Sequence, residues 1–238
     1  MTSAVIVAAG KGTRMGANVD KLFLEVAGRA VVAHTWLRFD TAPCIDEIIL
    51  VIRDGLQGEF ERLGTELALT KRCRLVLGGK ERQDSVWNGL AALGDGSEIV
   101  AIQDAARPCT ALELIAATVQ AAREVGAAVA AQRIADTVKE SDGGTLIART
   151  IDRSRLWSVQ TPQTFRVEVL RRALAEVLRR QMVVTDDAAA CELVGQAVRL
   201  VVGQSPNPKV TVPADLAHVE FLLRQAFANQ PFREGLDE

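Results

Sequence analysis

With 238 residues, 48% of them hydrophobic, and a formal charge of −2, the chain can bury a core of its own as one α/β domain, with two small domains as the alternative. So even a charge balance argues against general affinity for nucleic acid or anionic membrane, and any phosphate ligand must meet cations that are local. No run approaches the ~20 apolar residues of a spanning helix and no targeting segment is read, so the expected location is cytoplasmic.

The first element is an apolar strand at 4–8. It runs into Ala8-Ala9-Gly10-Lys11-Gly12-Thr13-Arg14-Met15, with Lys21 close behind. Gly10 and Gly12 permit a tight turn that presents backbone N–H groups to an anion, and Arg14 and Lys21 add fixed charge. No G-x-x-x-x-G-K-[ST] spacing occurs, which excludes a P-loop. A dinucleotide fingerprint fits poorly as well. Met15 stands where a third glycine belongs, and the first acid after the second strand is Asp54, well past the usual spacing of ~20 residues. The two extra cations suggest a nucleoside triphosphate. A plain strand-to-helix turn with incidental charges is the competing reading.

Further strands are predicted at 47–52, 74–77, 99–103 and 127–131, alternating with helices at 31–39, 56–69, 82–93 and 112–125. Helices at 167–178, 186–194 and 214–227 and a strand at 198–202 follow. Continuous apolar strands between amphipathic helices predict a largely parallel sheet covered on both faces. Such a sheet builds its site beyond the carboxyl ends of its strands. Gly78-Gly79 falls at one of those ends, followed by Glu81-Arg82 and Asp84-Ser85. Glycine amides and a hydroxyl there can read a nucleobase edge, although Asp84-Ser85 is also a helix-capping pattern. Asp104 opens Asp104-Ala105-Ala106-Arg107-Pro108 after the strand at 99–103. It suits a carboxylate holding Mg2+ against ligand phosphates or accepting ligand hydroxyls, or one that only closes a turn. Thr185-Asp186-Asp187 reads as a helix N-cap.

One stretch, 134–157, breaks the alternation. Asp142-Gly143-Gly144 between two alternating polar segments predicts a hairpin projecting from the sheet, either toward a partner surface or into solvent. Four scattered cysteines without a C-x-x-C pair are expected as buried thiols rather than as disulfides or zinc ligands. His34 and His218 are expected to pack within helices. Arg171-Arg172 and Arg179-Arg180 are expected on a solvated helix face.

Taken together, Ala8-Ala9-Gly10-x-Gly12-x-Arg14-Met15, Lys21, Gly79-x-Glu81-Arg82-x-x-Ser85-Val86 and Asp104-Ala105-Ala106-Arg107-Pro108 resemble successive motifs of one family. Asp136-Thr137-Val138-Lys139, Asp152-Arg153, Gln160-Thr161-Pro162-Gln163, Thr185-Asp186 and Lys209-Val210-Thr211 continue the series in order. The family is 2-C-methyl-D-erythritol 4-phosphate cytidylyltransferase, of the non-mevalonate isoprenoid pathway. The resemblance implies a Rossmann-like nucleotidyltransferase domain spanning 1–238, with a mostly parallel sheet and a projecting β-arm at 134–157 that reaches into a partner in a homodimer. It implies transfer of CMP from CTP to methylerythritol phosphate, with Mg2+ as cofactor.

By the same resemblance, Ala8, Ala9, Gly10 and Gly12 hold CTP, with Arg14 and Lys21 on its phosphates. Gly79 and Ser85 contact cytosine, while Asp104 and Ala105 serve the nucleotide sugar and the metal. Thr137, Arg153 and Lys209 position the acceptor, with Arg107 and Thr161 as further candidates. Relatives acting on ribitol 5-phosphate share most of these motifs, but tend to carry Ser-Val where this chain has Ala105-Ala106. Departures from the family pattern fall at Val7 and Asp20, where proline is common, at Lys80, where an acid is common, and at Pro208, where isoleucine is frequent.

Overall fold

The structure, a computed structural model, describes residues 1–10 and 20–228. In chain order the elements begin with β1 (Thr2–Ala8), β2 (Glu25–Val26), β3 (Arg29–Ala30), α1 (Val31–Thr41), β4 (Glu47–Ile52) and α2 (Gln57–Glu66). Next come β5 (Arg72–Leu77), α3 (Arg82–Ala91), β6 (Ile99–Asp104), α4 (Leu112–Val125) and β7 (Ala127–Arg133). A hairpin of β8 (Val138–Ser141) and β9 (Ile147–Ile151) leads to β10 (Trp157–Arg166). The remainder is α5 (Val167–Arg179), α6 (Asp187–Glu192), β11 (Arg199–Val202) and α7 (Asp215–Ala228).

Seven strands form the central sheet in the order β11-β7-β10-β6-β1-β4-β5. All pairings are parallel except those of β10, which runs against both β6 and β7. The predicted α/β class and mostly parallel sheet are therefore observed. From β1 the chain builds outward to β4 and β5, then crosses to β6 on the other side. The crevice between β1 and β6 is thus a switch point, where open α/β sheets place their ligands.

Both faces of the sheet are buried, and the alternation of β4 shows how. Ile48, Leu50 and Ile52 pack on the face covered by α1, α2, α4 and α7. Ile49 and Val51 pack on the face covered by α3, α5 and α6. Gly89 lets α3 lie close against the sheet: a Cβ there would sit 2.5 Å from Val5 Cγ1. Helix α4 ends where Gly126 takes a φ of 90°, a conformation that costs glycine little.

Two features depart from the expected alternation. Strand β10 was not foreseen, because its Gln160-Thr161-Pro162-Gln163 reads as turn chemistry and its pairing shifts register between Val159 and Gln163. Its direction has a simple cause. A parallel neighbour needs a crossover across the sheet, whereas the chain leaves β7 and returns at the same end through the hairpin. The β2–β3 hairpin was also missed; its two residues per strand are too short to give a periodic signal.

The hairpin predicted at 134–157 is present as β8 and β9, paired from Val138↔Ile151 to Ser141↔Ile147 and separate from the main sheet. Arg133 stacks over the Trp157 ring at its base, 4.4 Å from the ring centroid. Its tip exposes Leu146 (78%) and Ile147 (64%), which nothing among the described residues covers.

The four thiols are free, and burial pushes Cys73 and Cys191 up to about 12, so they are poor nucleophiles. His34 packs in the core, where its Nε2 meets the Val26 carbonyl at 2.8 Å and burial lowers its pKa. His218 instead faces solvent on α7. Arg171 caps the Leu90 carbonyl, while Arg179 and Arg180 share Glu176 on the exposed face of α5. Among the described residues no helix is long and apolar enough to cross a membrane.

Candidate active site

A cavity of about 650 Å³ opens over the switch point, at the carboxyl ends of β1, β4, β5 and β6. Its walls include Ala9, Gly10, Lys21, Gly79, Ser85, Asp104, Ala105 and Lys209, so residues foreseen from five separate motifs meet at one place. Gly12 and Arg14 lie outside the described residues. Ala8 is 2% exposed and belongs to the apolar core rather than the cavity wall.

One wall is built by backbone. Gly78 and Gly79 follow β5, and neither position has room for a side chain. A Cβ on Gly78 would stand 2.3 Å from Ala9 Cβ, and one on Gly79 the same distance from Asp84 Cβ. This close approach brings Gly79 N–H to Ser85 Oγ (3.1 Å), which in turn donates to the Glu81 carbonyl (3.2 Å). Asp84 turns out to be a capping residue, forming a capping box with Glu81 at the start of α3.

Opposite lies the segment carrying Lys209. Buried Asn207 anchors it, donating to the Thr161 carbonyl (2.8 Å) and accepting from Thr110 Oγ1 (3.0 Å). Val210 N–H bonds the Ala106 carbonyl, and Lys21 Nζ donates to the Val210 carbonyl at 2.8 Å, tying the two basic walls together. Nothing local in Asn207-Pro208-Lys209 announces this anchoring role.

Asp104, at the end of β6, sits at the centre of the charge. Lys209 Nζ lies 2.7 Å from its Oδ2, Arg82 Nε 3.4 Å from its Oδ1, and Arg107 Nε 3.8 Å from Oδ2. Burial alone would raise this carboxyl, but the charges of Arg82, Lys209 and Arg107 hold it at about 2. A carboxyl whose pKa is depressed on folding stabilises the fold above its unfolded value and loses that contribution as pH falls through the folded one. The stability gap between wild type and Asp104→Asn is therefore expected to be full above about pH 4 and to close toward about pH 2, read by urea denaturation at each pH.

The other foreseen acceptor residues are not on the cavity wall. Thr161 is buried and its hydroxyl accepts from Asp104 N–H (3.1 Å). Arg107 donates to the Asn207 carbonyl at 2.7 Å. Both thus support Asp104 and Lys209 from beneath. Thr137 and Arg153 are exposed at the base of the hairpin, where Arg153 bonds the Ala135 carbonyl.

Three residues on or behind the cavity wall were given no part in the site by the sequence. Arg53, after β4, pairs with Asp20 at 2.5 Å, and Lys80 lines the wall beside Gly79. Asp187 is the third, and it is 1% exposed. Read as an N-cap, the Thr185-Asp186-Asp187 run is only half explained. Asp186 does cap α6 by accepting from Ala189 N–H, but Asp187 pairs with Arg82 Nη1 at 2.8 Å. Burial raises the Asp187 carboxyl, with the Arg82 charge opposing it.

Crowded cations around an ionised carboxylate, opposite a wall of bare backbone, suit a reaction in which two phosphates must be brought together. That arrangement at the switch point of a Rossmann-like sheet marks a nucleotidyltransferase. The sequence model of the family 2-C-methyl-D-erythritol 4-phosphate cytidylyltransferase matches residues 2–225. A protein of that name from Trichormus variabilis is 42% identical over 92% of this chain and 96% of its own length. One from Pelotomaculum thermopropionicum is 39% identical over 93% and 94%. The crystal structure of 4-diphosphocytidyl-2C-methyl-D-erythritol synthase from Anaerococcus prevotii superposes with a TM-score of 0.83 at 32% identity, covering 94% of this chain and 96% of that one. This chain belongs to the 2-C-methyl-D-erythritol 4-phosphate cytidylyltransferase family.

Proposed function

We propose that the cavity binds CTP and 2-C-methyl-D-erythritol 4-phosphate and transfers CMP from one to the other. The observation that carries this reading is the pairing of Lys209 with ionised Asp104, with Lys21 lining the same cavity, beside the Gly78–Ser85 wall. An oxygen of the acceptor phosphate attacks the α-phosphorus in line, the new P–O bond forms, and the bond to the departing pyrophosphate breaks. The acceptor is already ionised near neutral pH, so no general base is needed. Repulsion between the two anions and charge growth at the α-phosphate are the obstacles, and fixed cations address both.

In this reading Ala9, Gly10 and Gly12 shape the triphosphate loop with Ala8 behind them, and Arg14 and Lys21 face the phosphates. Gly79 and Ser85 face cytosine, and Asp104 and Ala105 lie at the ribose and metal. A single ionised carboxylate opening into a cavity that also receives phosphates fits the way Mg2+ is held, with one protein carboxylate and substrate oxygens. Bound there, Mg2+ would supply charge neutralisation at the transferring group. Lys209 guides the acceptor phosphate, with Arg107 and Thr161 holding Lys209 and Asp104 in place. Thr137 and Arg153 sit on the hairpin, away from their own cavity, and serve the acceptor only if the arm is exchanged between subunits of a homodimer. Water-soluble, highly charged substrates fit a cytoplasmic enzyme.

The test is pyrophosphate release from CTP with methylerythritol phosphate and, separately, ribitol 5-phosphate. Turnover is expected with the first alone, and with CTP far above UTP, whose reversed hydrogen-bond pattern leaves buried polar groups unpaired. Comparable kcat/KM for UTP and CTP would remove Gly79 and Ser85 from base recognition, and turnover of ribitol 5-phosphate alone would replace the acceptor.

A further inference from the structure

We propose that Asp187 and Arg82 form a positioning pair that keeps one oxygen of Asp104 available to a bound metal ion. The proposal rests on the reading of Asp104 as the metal-binding carboxylate. Arg82 stands between two carboxylates and divides itself unequally. Its Nη1 is 2.8 Å from Asp187 Oδ2, while its Nε is 3.4 Å from Asp104 Oδ1. Charge-assisted hydrogen bonds weaken steeply over that interval, so Asp187 takes the stronger share. On the other side, Lys209 occupies Oδ2 at 2.7 Å. Oδ1 is therefore the lightly engaged atom, and Arg82 and Asp104 both line the cavity.

Asp187 has no other evident duty. The capping of α6 is done by its neighbour Asp186, and one of its own oxygens, Oδ1, is buried with no hydrogen-bond partner among the described residues. A fully buried carboxylate is costly, and a fold needing only stability would gain more from an apolar residue there. The surroundings instead fix it in place. Gln163 of β10 accepts from Asp187 N–H and Ala188 N–H through Oε1 and donates to Asp186 Oδ2, clamping the start of α6. Beside Arg82, Gln83 holds the preceding loop at both the Met182 carbonyl and Val184 N–H. Without the Asp187 charge, the guanidinium has one carboxylate left and closes onto Asp104, where it competes with a cation for Oδ1.

The consequence can be read without turnover, from the affinity of the full-length protein for α,β-methylene-CTP with and without Mn2+, the metal followed by electron paramagnetic resonance. Asp187→Asn keeps size and hydrogen bonding and is expected to weaken binding of the Mn2+-loaded nucleotide by about 10-fold or more, the scale of one charge-assisted hydrogen bond. Binding of the metal-free nucleotide in EDTA should change little. Adding Arg82→Gln to that variant removes the competitor and should restore Mn2+-dependent binding to near wild type. Arg82→Gln alone should bind the loaded nucleotide at least as tightly as wild type, and it serves where Asp187→Asn does not fold.

Unchanged Mn2+ dependence in folded Asp187→Asn would overturn the pair. So would a double variant as weak as the single one, weaker binding by Arg82→Gln alone, or equal losses with and without metal, which would mark a structural role. Asp104→Asn separates the two levels. If it abolishes the Mn2+ dependence while Asp187→Asn leaves it intact, only the positioning pair fails; if it binds Mn2+ as wild type does, the metal reading fails and the pair with it.

Discussion

Lys21→Ala and Lys209→Ala are each expected to lower kcat by about 10²–10³, the scale for losing one preorganised charge at a transition state. Both lysines line the cavity, Lys21 held by the Val210 carbonyl and Lys209 by Asp104. Neither belongs to an apolar cluster, so the variants should fold, with unchanged circular dichroism. Initial rates of pyrophosphate release at saturating CTP and acceptor measure the effect. A near-normal kcat would remove that lysine from the chemistry.

The second large effect concerns the hairpin. Arg153→Ala should also be nearly inactive, and mixing should reveal whose site it serves. If the arm is exchanged in a twofold dimer, each site combines Lys21 of one chain with Arg153 of the other. Lys21→Ala and Arg153→Ala protein, unfolded and refolded together in equal amounts, should give about half heterodimers, in which one site carries both defects and the other carries neither. Activity should then recover to about a quarter of wild type from two nearly dead parents. The structural motive is that Thr137 and Arg153 stand at the hairpin base, outside their own chain's cavity, while Leu146 and Ile147 expose an apolar tip. No recovery, with heterodimers verified by mass spectrometry, would leave the arm a surface hairpin.

Local pattern was enough where the cause of structure is local and the element is long enough to carry it. The apolar run of β4, the capping residue Asp84 of α3, the glycines at 78 and 79 and the hairpin around Gly143 each act over a few residues, so each can be read from its neighbours. The position of Asp104 beyond a parallel strand follows from the same logic, because alternating strands and helices leave little choice of where such a sheet opens. The motifs therefore name much of the cavity wall.

Contacts between distant segments escaped that reading. Strand β10 runs antiparallel because the chain returns at the end where it left β7, a matter of path rather than of the residues in Gln160-Thr161-Pro162-Gln163. Thr161 and Arg107, expected beside the acceptor, prop up Asp104 and Lys209 instead, since a hydroxyl or guanidinium bonds whichever partner the fold brings near. Asp187 is the clearest case. Beside Asp186 it looks like a second capping acid, and only the fold, which sets the first residue of α6 beside the first residue of α3, brings it to Arg82, 105 residues away in the chain. Residue types along the chain determined which groups could meet an anion; folding alone decided which of them face it, because charge interactions depend on distance in space and on burial, and neither is written in the spacing of the sequence.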